Sequence, residues 1–223
     1  MVAAFLSTTH DRRKFLAGAG IAALGVALPL ASSAPAGRLW TPPAPALPAA
    51  PAAPDLAKPR LFPRAVAALD AHASRIAHRD RIGIVDFAQP SREPRFHLVD
   101  ITSGEVTTRL VAHGSGSDPD RSGWVHRLSN QPDSNASSRG AYLTGPTYVG
   151  KHGQSRRLFG LDPDNDMAES RGIVIHAASY VSEAMAAAEG LIGRSQGCFA
   201  FADDAIAEVL ERLGPGRLLF AWK

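Results

Sequence analysis

GRSQGCFA, residues 193–200, contains the one cysteine of the 223-residue chain. A thiol attacks as the thiolate, and an ordinary cysteine has a pKa of about 8.5, so Cys198 needs a base beside it. His176 is the best candidate because it ends the apolar strand Ile173–Ile175, a rigid place from which to aim an imidazole. Gly197 allows a tight turn, after which the amides of Gly197 and Cys198 can point at an oxyanion.

Two alternative roles for Cys198 stay open at this point. A lone cysteine is commonly a small buried hydrophobe, and in an exported chain it can form an intermolecular disulfide. The segment between His176 and Cys198 is long enough for a helix that returns the chain to the strand end. Spacing alone excludes neither of these roles.

The N-terminus predicts export. The basic stretch Arg12–Lys14 precedes an apolar run at residues 15–31, and a small-residue site follows at Ala34–Ala36. The run is short for a bilayer span, which needs about 20 apolar residues. The arginine pair resembles a twin-arginine signal, so residues 1–36 are predicted to be a signal peptide that meets the membrane only during export to the periplasm or cell envelope. An uncleaved membrane anchor is the alternative.

Composition divides the rest of the chain into a linker and one domain. Residues 37–63 are rich in proline and alanine, which predicts an extended, semi-rigid spacer. Residues 64–223 then have an ordinary size for one catalytic domain. Much of the net charge of +3 belongs to the signal peptide, and the domain has no basic stripe. This excludes a nucleic-acid footprint.

The hydrophobic pattern of the domain predicts a mostly β fold with a few helices, an α+β arrangement. Alternating or apolar runs predict strands at Arg81–Phe87, Arg95–Ile101, Glu105–Ala112, Ala141–Thr144, Gly172–His176 and Arg217–Trp222. Helical spacing predicts helices within residues 64–78, 181–188 and 202–213. A long polar loop is predicted at about residues 114–139, and loops of this length are usually functional or mobile.

Together these pieces resemble the bacterial murein L,D-transpeptidase family, which has a YkuD-like catalytic domain. The resemblance rests first on Ile173–His176 and Arg194–Cys198. Further matching pieces are Val85–Phe87, Val111–Gly114, Ser129-Asn130, Gly145–Tyr148 and Gly150–Gly153. The similarity covers residues 82–222 and implies an L,D-transpeptidase-like β-sandwich or barrel that needs no cofactor and no metal.

The resemblance also implies a mechanism. The thiolate of Cys198 attacks the carbonyl between the third residue of a peptidoglycan stem peptide and its terminal D-alanine, while His176 acts as the base. A backbone carbonyl near Ala177 orients the histidine. D-Alanine leaves an acyl-enzyme, and an amine of a neighbouring stem then forms a 3-3 cross-link. Attack by water instead gives L,D-carboxypeptidase activity.

Four further residues are assigned to the substrate groove. Tyr148, His152, Arg194 and Ser195 are predicted to bind substrate, and residues 145–152 are interpreted as a loop beside the groove. Arg194 can bind a stem-peptide carboxylate or pair with Glu189.

This sequence also departs from the wider family. Gln196 stands where most members have histidine, and Ala177 stands where they have glycine. If His176 is the base, the missing histidine is not the proton acceptor.

Two further classes of function are weighed against the transpeptidase. One is a non-catalytic peptidoglycan-binding module, which the presence of both Cys198 and His176 disfavours. The other is a metal-dependent amidase using His113, His126, His152 and His176, which lack close ligand spacing. The sequence predicts no metal site, and it leaves the oligomeric state open.

Overall fold

A computed structural model describes residues 59–223 of the chain. The predicted signal peptide, residues 1–36, and most of the predicted linker, residues 37–63, lie outside the described residues. Within residues 59–223, no helix is both long and apolar enough to cross a membrane.

Eight strands form one mixed sheet, so the prediction of a mostly β fold with a few helices is confirmed. Their bounds are β1 Arg81–Asp86, β2 Phe96–Asp100, β3 Val106–Arg109, β4 Gly140–Gly150, β5 Gly153–Gly160, β6 Val174–Ala177, β7 Phe199–Phe201 and β8 Leu218–Trp222. The strand order is β3-β2-β1-β8-β4-β5-β6-β7. The β1/β8 and β6/β7 pairs are parallel, and the other neighbours are antiparallel.

Three α-helices accompany the sheet: α1 Phe62–Ala71, α2 Glu183–Glu189 and α3 Ile206–Arg212. Helix α1 begins two residues inside the segment assigned to the linker, with Pro63 in its first turn, where an N–H is not needed. Leu61 and Leu69 are buried with α1 against one face of β1 and β8. The opposite face of the sheet packs against Val209 and Leu210 of α3.

The chain beyond β3 brings the two edges of the sheet together. The Ala112 N–H donates to the Ala200 carbonyl of β7 at 2.9 Å, and Gly114 forms a parallel bridge with Ser195. Behind this closure the core is aromatic, with the rings of Phe96 and Phe201 edge to face at 4.8 Å. The closure places the Cys198 loop beside the start of the long polar loop, which is irregular apart from a short 3-10 turn at Ser115–Ser117, as expected.

The interpretation of residues 145–152 as a loop is wrong for most of its length. Residues up to Gly150 belong to β4, which turns at Lys151-His152 into β5. Glycine and proline are depleted in strands, which hides this hairpin from the sequence pattern. The register of β4 and β5 shifts between Thr144 and Thr147, an irregularity that accommodates Pro146.

Candidate active site

His176 lies on the short strand β6 between β5 and β7, and its residue exposure is only 2%. Its Nδ1 lies 2.7 Å from the backbone oxygen of Ala177. Because a carbonyl oxygen can only accept, Nδ1 carries the proton and Nε2 is left as a hydrogen-bond acceptor. The ring is therefore held in the tautomer that a general base requires at Nε2.

The surroundings of His176 favour its neutral form. Burial lowers its pKa, and the nearby His152 and Lys151 act in the same direction, while the hydrogen bond to Ala177 raises it. The net pKa is below that of an ordinary histidine. At neutral pH the imidazole is unprotonated and can accept a proton.

The connection from β6 to β7 delivers Cys198 to the same edge of the sheet. Ser182 caps the start of helix α2, with its side chain accepting a hydrogen bond from the Met185 N–H at 3.1 Å, and Gly190, which has a left-handed backbone, caps the end. In the parallel register of β6 and β7, His176 lies opposite Ala200. Cys198 lies in the bend directly before β7, two residues before Ala200.

The thiol of Cys198 is partly exposed and points at the backbone around β6. Its Sγ donates to the Gly172 carbonyl at 3.6 Å, and among the described residues no hydrogen bond joins Sγ to His176. Burial raises the pKa of Cys198, an effect that the Val174 N–H and the charges of Lys151 and Arg171 oppose only in part. The resting group is a thiol, so it needs a base for attack.

The loop before Cys198 is closed by Ser195. The Gly197 N–H donates to Ser195 Oγ at 3.1 Å, and Ser195 Oγ donates to the Cys198 carbonyl at 2.8 Å. Gly197 has φ +111°, and a Cβ there would come within 2.7 Å of the Ala136 oxygen. Ser195 is thus a buried loop residue rather than a groove residue. Of the two predicted oxyanion donors, only the Cys198 N–H has no partner among the described residues.

A buried polar network supports this loop from the segment after β3. The Ser195 N–H donates to the His113 carbonyl at 2.9 Å. Arg95 Nη2 lies 2.7 Å from His113 Nδ1, and His113 Nε2 lies 3.3 Å from Asp118 Oδ2. The guanidinium of Arg95 also donates to the carbonyls of Val111 and Gln89, at 2.9 and 3.0 Å. We call these three side chains the Arg95–His113–Asp118 network.

Charge and burial fix the protonation of the network. Burial lowers the pKa of Arg95 to about 9 and, together with the Arg95 charge, lowers that of His113 to about 4. Burial raises the pKa of Asp118, but hydrogen bonds from Ser122 and Gly123 lower it by more. The net pKa is below that of an ordinary aspartate, so the carboxylate stays ionised. His113 is therefore neutral, accepts from Arg95 and donates to Asp118.

Sequence reasoning misses most of this network. Nothing local in the sequence marks Arg95 and Asp118, because these side chains meet only after folding. His113 stands out as a histidine before a glycine, within the family-matching piece Val111–Gly114, and as one member of a hypothetical zinc set.

The remaining predicted groove residues do not all face the Cys198–His176 pair. The ring of His152 stacks on His176 with centroids 4.2 Å apart, whereas Tyr148 lies beneath the Arg157 guanidinium at 4.7 Å. Arg194 donates to the backbone carbonyl of Asp118.

The suggested pairing of Arg194 with Glu189 is wrong, because Glu189 pairs with Arg121 at 2.8 Å. Gln196, which replaces the histidine of the wider family, is exposed.

The four histidines of the zinc alternative do not converge. His113 and His126 both approach Asp118, at 3.3 and 3.8 Å, while His152 stacks on His176. Within residues 59–223, no group of three or more His, Cys, Asp or Glu side chains is arranged to hold a metal ion.

Comparison with known proteins gives one family match. A family model described as L,D-transpeptidase catalytic domain matches residues 54–222. A search of curated proteins finds no match.

Solved structures similar to the chain include L,D-transpeptidases. One from Mycobacterium smegmatis has 13% sequence identity and a TM-score of 0.40, over 65% of this chain and 59% of that one. One from Mycobacterium tuberculosis H37Rv has 13% identity and a TM-score of 0.42, over 65% and 58%. The chain matches less than two thirds of the length of these structures.

Proposed function

The chain belongs to the L,D-transpeptidase catalytic-domain family, and from that premise we propose that it is a cysteine L,D-transpeptidase acting on peptidoglycan stem peptides. One observation carries the proposal. A neutral histidine on β6, with Nδ1 held at 2.7 Å from the Ala177 carbonyl, lies next to the parallel strand β7, which the chain's one cysteine directly precedes. A thiol beside an oriented base is the arrangement that acyl transfer requires.

In the first half-reaction the Cys198 thiol gives its proton to Nε2 of His176, for which it must leave the Gly172 carbonyl. Its sulfur attacks the carbonyl carbon between the third stem residue and D-alanine. The Cys198 N–H is free to stabilise the resulting oxyanion. The carbon–nitrogen bond then breaks, His176 protonates the departing amine, and D-alanine leaves a thioester on Cys198.

In the second half-reaction the acceptor decides the product. An amine of a neighbouring stem attacks the thioester, gives a proton to His176 and releases the thiolate, which is then reprotonated. This forms a 3-3 cross-link, whereas attack by water gives a carboxypeptidase. A substrate in the cell wall places the protein in the bacterial envelope after export, in agreement with the twin-arginine-like pair of the N-terminus.

The test uses the full chain and its Cys198→Ala variant with a disaccharide-tetrapeptide, followed by mass spectrometry. The proposal predicts that only the native protein releases D-alanine and forms dimers. Release without dimers identifies the L,D-carboxypeptidase instead. If the native protein leaves the substrate unchanged but still binds it, the fold serves as a non-catalytic wall-binding module.

A further inference from the structure

The turn between β4 and β5 brings a charged side chain to the Cys198–His176 pair. The ring of His152 packs on His176, and Lys151 directly precedes it at the tip of the hairpin. Lys151 is close enough for its charge to act on both the thiol and the imidazole. Its side chain is exposed, and among the described residues it makes no ion pair or hydrogen bond.

The other cations around the site already have partners. Arg171 donates to the backbone carbonyls of Ser129 and Ala136, at 2.9 and 2.5 Å, and so braces the segment behind Gly197. Arg194 donates to the backbone carbonyl of Asp118. In the described residues, Lys151 is therefore the cation near the thiol that remains available to a ligand.

We propose that Lys151 binds the terminal carboxylate of the donor peptide and so selects donors that end in a free carboxylate. This rests on the proposed function and adds the specificity of the same site. In the leaving D-alanine, the carboxylate carbon is two covalent bonds from the nitrogen of the bond that breaks. The terminal carboxylate, which needs a positive charge beside it, is thus close to the carbonyl that Cys198 attacks.

The chemistry of lysine suits this position. An ammonium on a flexible four-carbon stem can follow a carboxylate without fixed geometry, whereas a planar guanidinium would demand a bidentate fit. The groups whose charges lower the Cys198 pKa, Lys151 and Arg171, are both cations. An anionic substrate terminus is therefore favoured over a neutral or cationic one.

The first test compares a tetrapeptide ending in D-alanine with the same peptide ending in D-alaninamide. Lys151→Ala should raise KM for the carboxylate substrate about two- to fivefold and change the amide substrate little. Lys151→Glu should have a larger effect in the same direction. The matched control is Arg157→Ala, which removes an exposed cation from the same hairpin and should leave the preference intact. Equal losses on both substrates would overturn the proposal, since they indicate a structural role.

A second test does not depend on turnover. Cys198 is the one thiol of the chain, so the rates of alkylation by anionic iodoacetate and neutral iodoacetamide both report on it. Lys151→Ala should lower the iodoacetate-to-iodoacetamide rate ratio, Lys151→Glu should lower it further, and Arg157→Ala should not change it. If the native protein turns over neither peptide but the ratio depends on Lys151, the anion site stands and the proposed function fails. A ratio independent of Lys151 overturns the anion site.

Discussion

The Arg95–His113–Asp118 network lies behind the loop before Cys198, whereas the Lys151-His152 turn packs on His176, and the two regions are built in opposite ways. The network is buried, and each of its side chains is hydrogen-bonded. The turn is exposed, and Lys151 is unpaired among the described residues. The first therefore supports the nucleophile loop, while the second is free to meet substrate. Stability and specificity should separate between these two regions.

The largest expected effect belongs to His176, the proposed base. His176→Gln should lower the rate of D-alanine release roughly 10²- to 10⁴-fold, because His176 is the proposed acceptor of the thiol proton. The control His152→Gln removes the stacked ring but not the base and should cost much less. Initial rates with the tetrapeptide measure both, and equal losses in the two variants would contradict the assignment of His176.

The next effect is on stability and belongs to the network. Arg95→Met should lower the free energy of unfolding by about 4 kcal/mol, because it leaves the Val111 and Gln89 carbonyls and His113 Nδ1 buried without a donor. Urea unfolding measures the change. Arg157→Met, which removes an exposed arginine, is the control and should have little effect. Similar midpoints for the two variants would show that the network does not stabilise the fold.

A pH-dependent loss of stability should also trace to the network. The folded pKa of His113, about 4, lies below its unfolded value of about 6.5, so the unfolded chain binds more protons between these values. This contribution is fully present above pH 6.5 and is lost as the pH falls through about 4. It amounts to roughly 3 kcal/mol, because burial and the charges of Arg95 and Arg194 lower the pKa of His113 by more than Asp118 raises it.

Chemical denaturation from pH 7.5 to 4 checks this prediction. His113→Gln lacks the titrating group, so its stability should fall less over that interval than that of the native chain. Parallel pH dependences would assign the acid sensitivity to other groups.

The smallest effect belongs to the turn and concerns the thiol itself. Burial holds the pKa of Cys198 above that of an ordinary thiol, and the Lys151 charge opposes this. In Lys151→Ala, the pH midpoint of iodoacetamide labelling should therefore rise further. Arg95→Met should leave the midpoint nearly unchanged wherever it remains folded, because the causes that set the Cys198 pKa do not include Arg95. A midpoint that moves downward in Lys151→Ala would contradict the electrostatics of the turn.

These two regions also differ in how far the sequence reveals them. The strands containing Ile82–Asp86, Phe96–Asp100 and Leu218–Trp222 follow apolar patterns, which predict nearly their observed bounds. His176 and Cys198 carry local signals, a strand end and a glycine turn, from which one site for both is predicted. The β4–β5 hairpin is hidden because its glycines and Pro146 suppress the strand pattern, so the position of Lys151 at a hairpin tip is not apparent from the sequence.

The contacts of the Arg95–His113–Asp118 network cannot be predicted from the sequence, for a different reason. Arg95 reaches Val111 and His113 across the closure of the sheet, and Asp118 is oriented by Ser122 and Gly123 in an irregular loop. No periodicity or motif marks such contacts, since they depend on how the chain after β3 meets β7. The boundary between linker and domain is also hard to predict from sequence. Leu61 lies in the segment assigned to the linker, and its burial depends on packing against the sheet.

The most direct test of the central claim is to trap the acyl-enzyme. The full chain is mixed with excess tetrapeptide, quenched in acid after short times and measured by intact-mass and peptide-mapping mass spectrometry. The account predicts an added mass equal to the peptide minus D-alanine, located on Cys198 and absent from Cys198→Ala. D-Alanine released at an undiminished rate by Cys198→Ala, or an adduct on another residue, would contradict it.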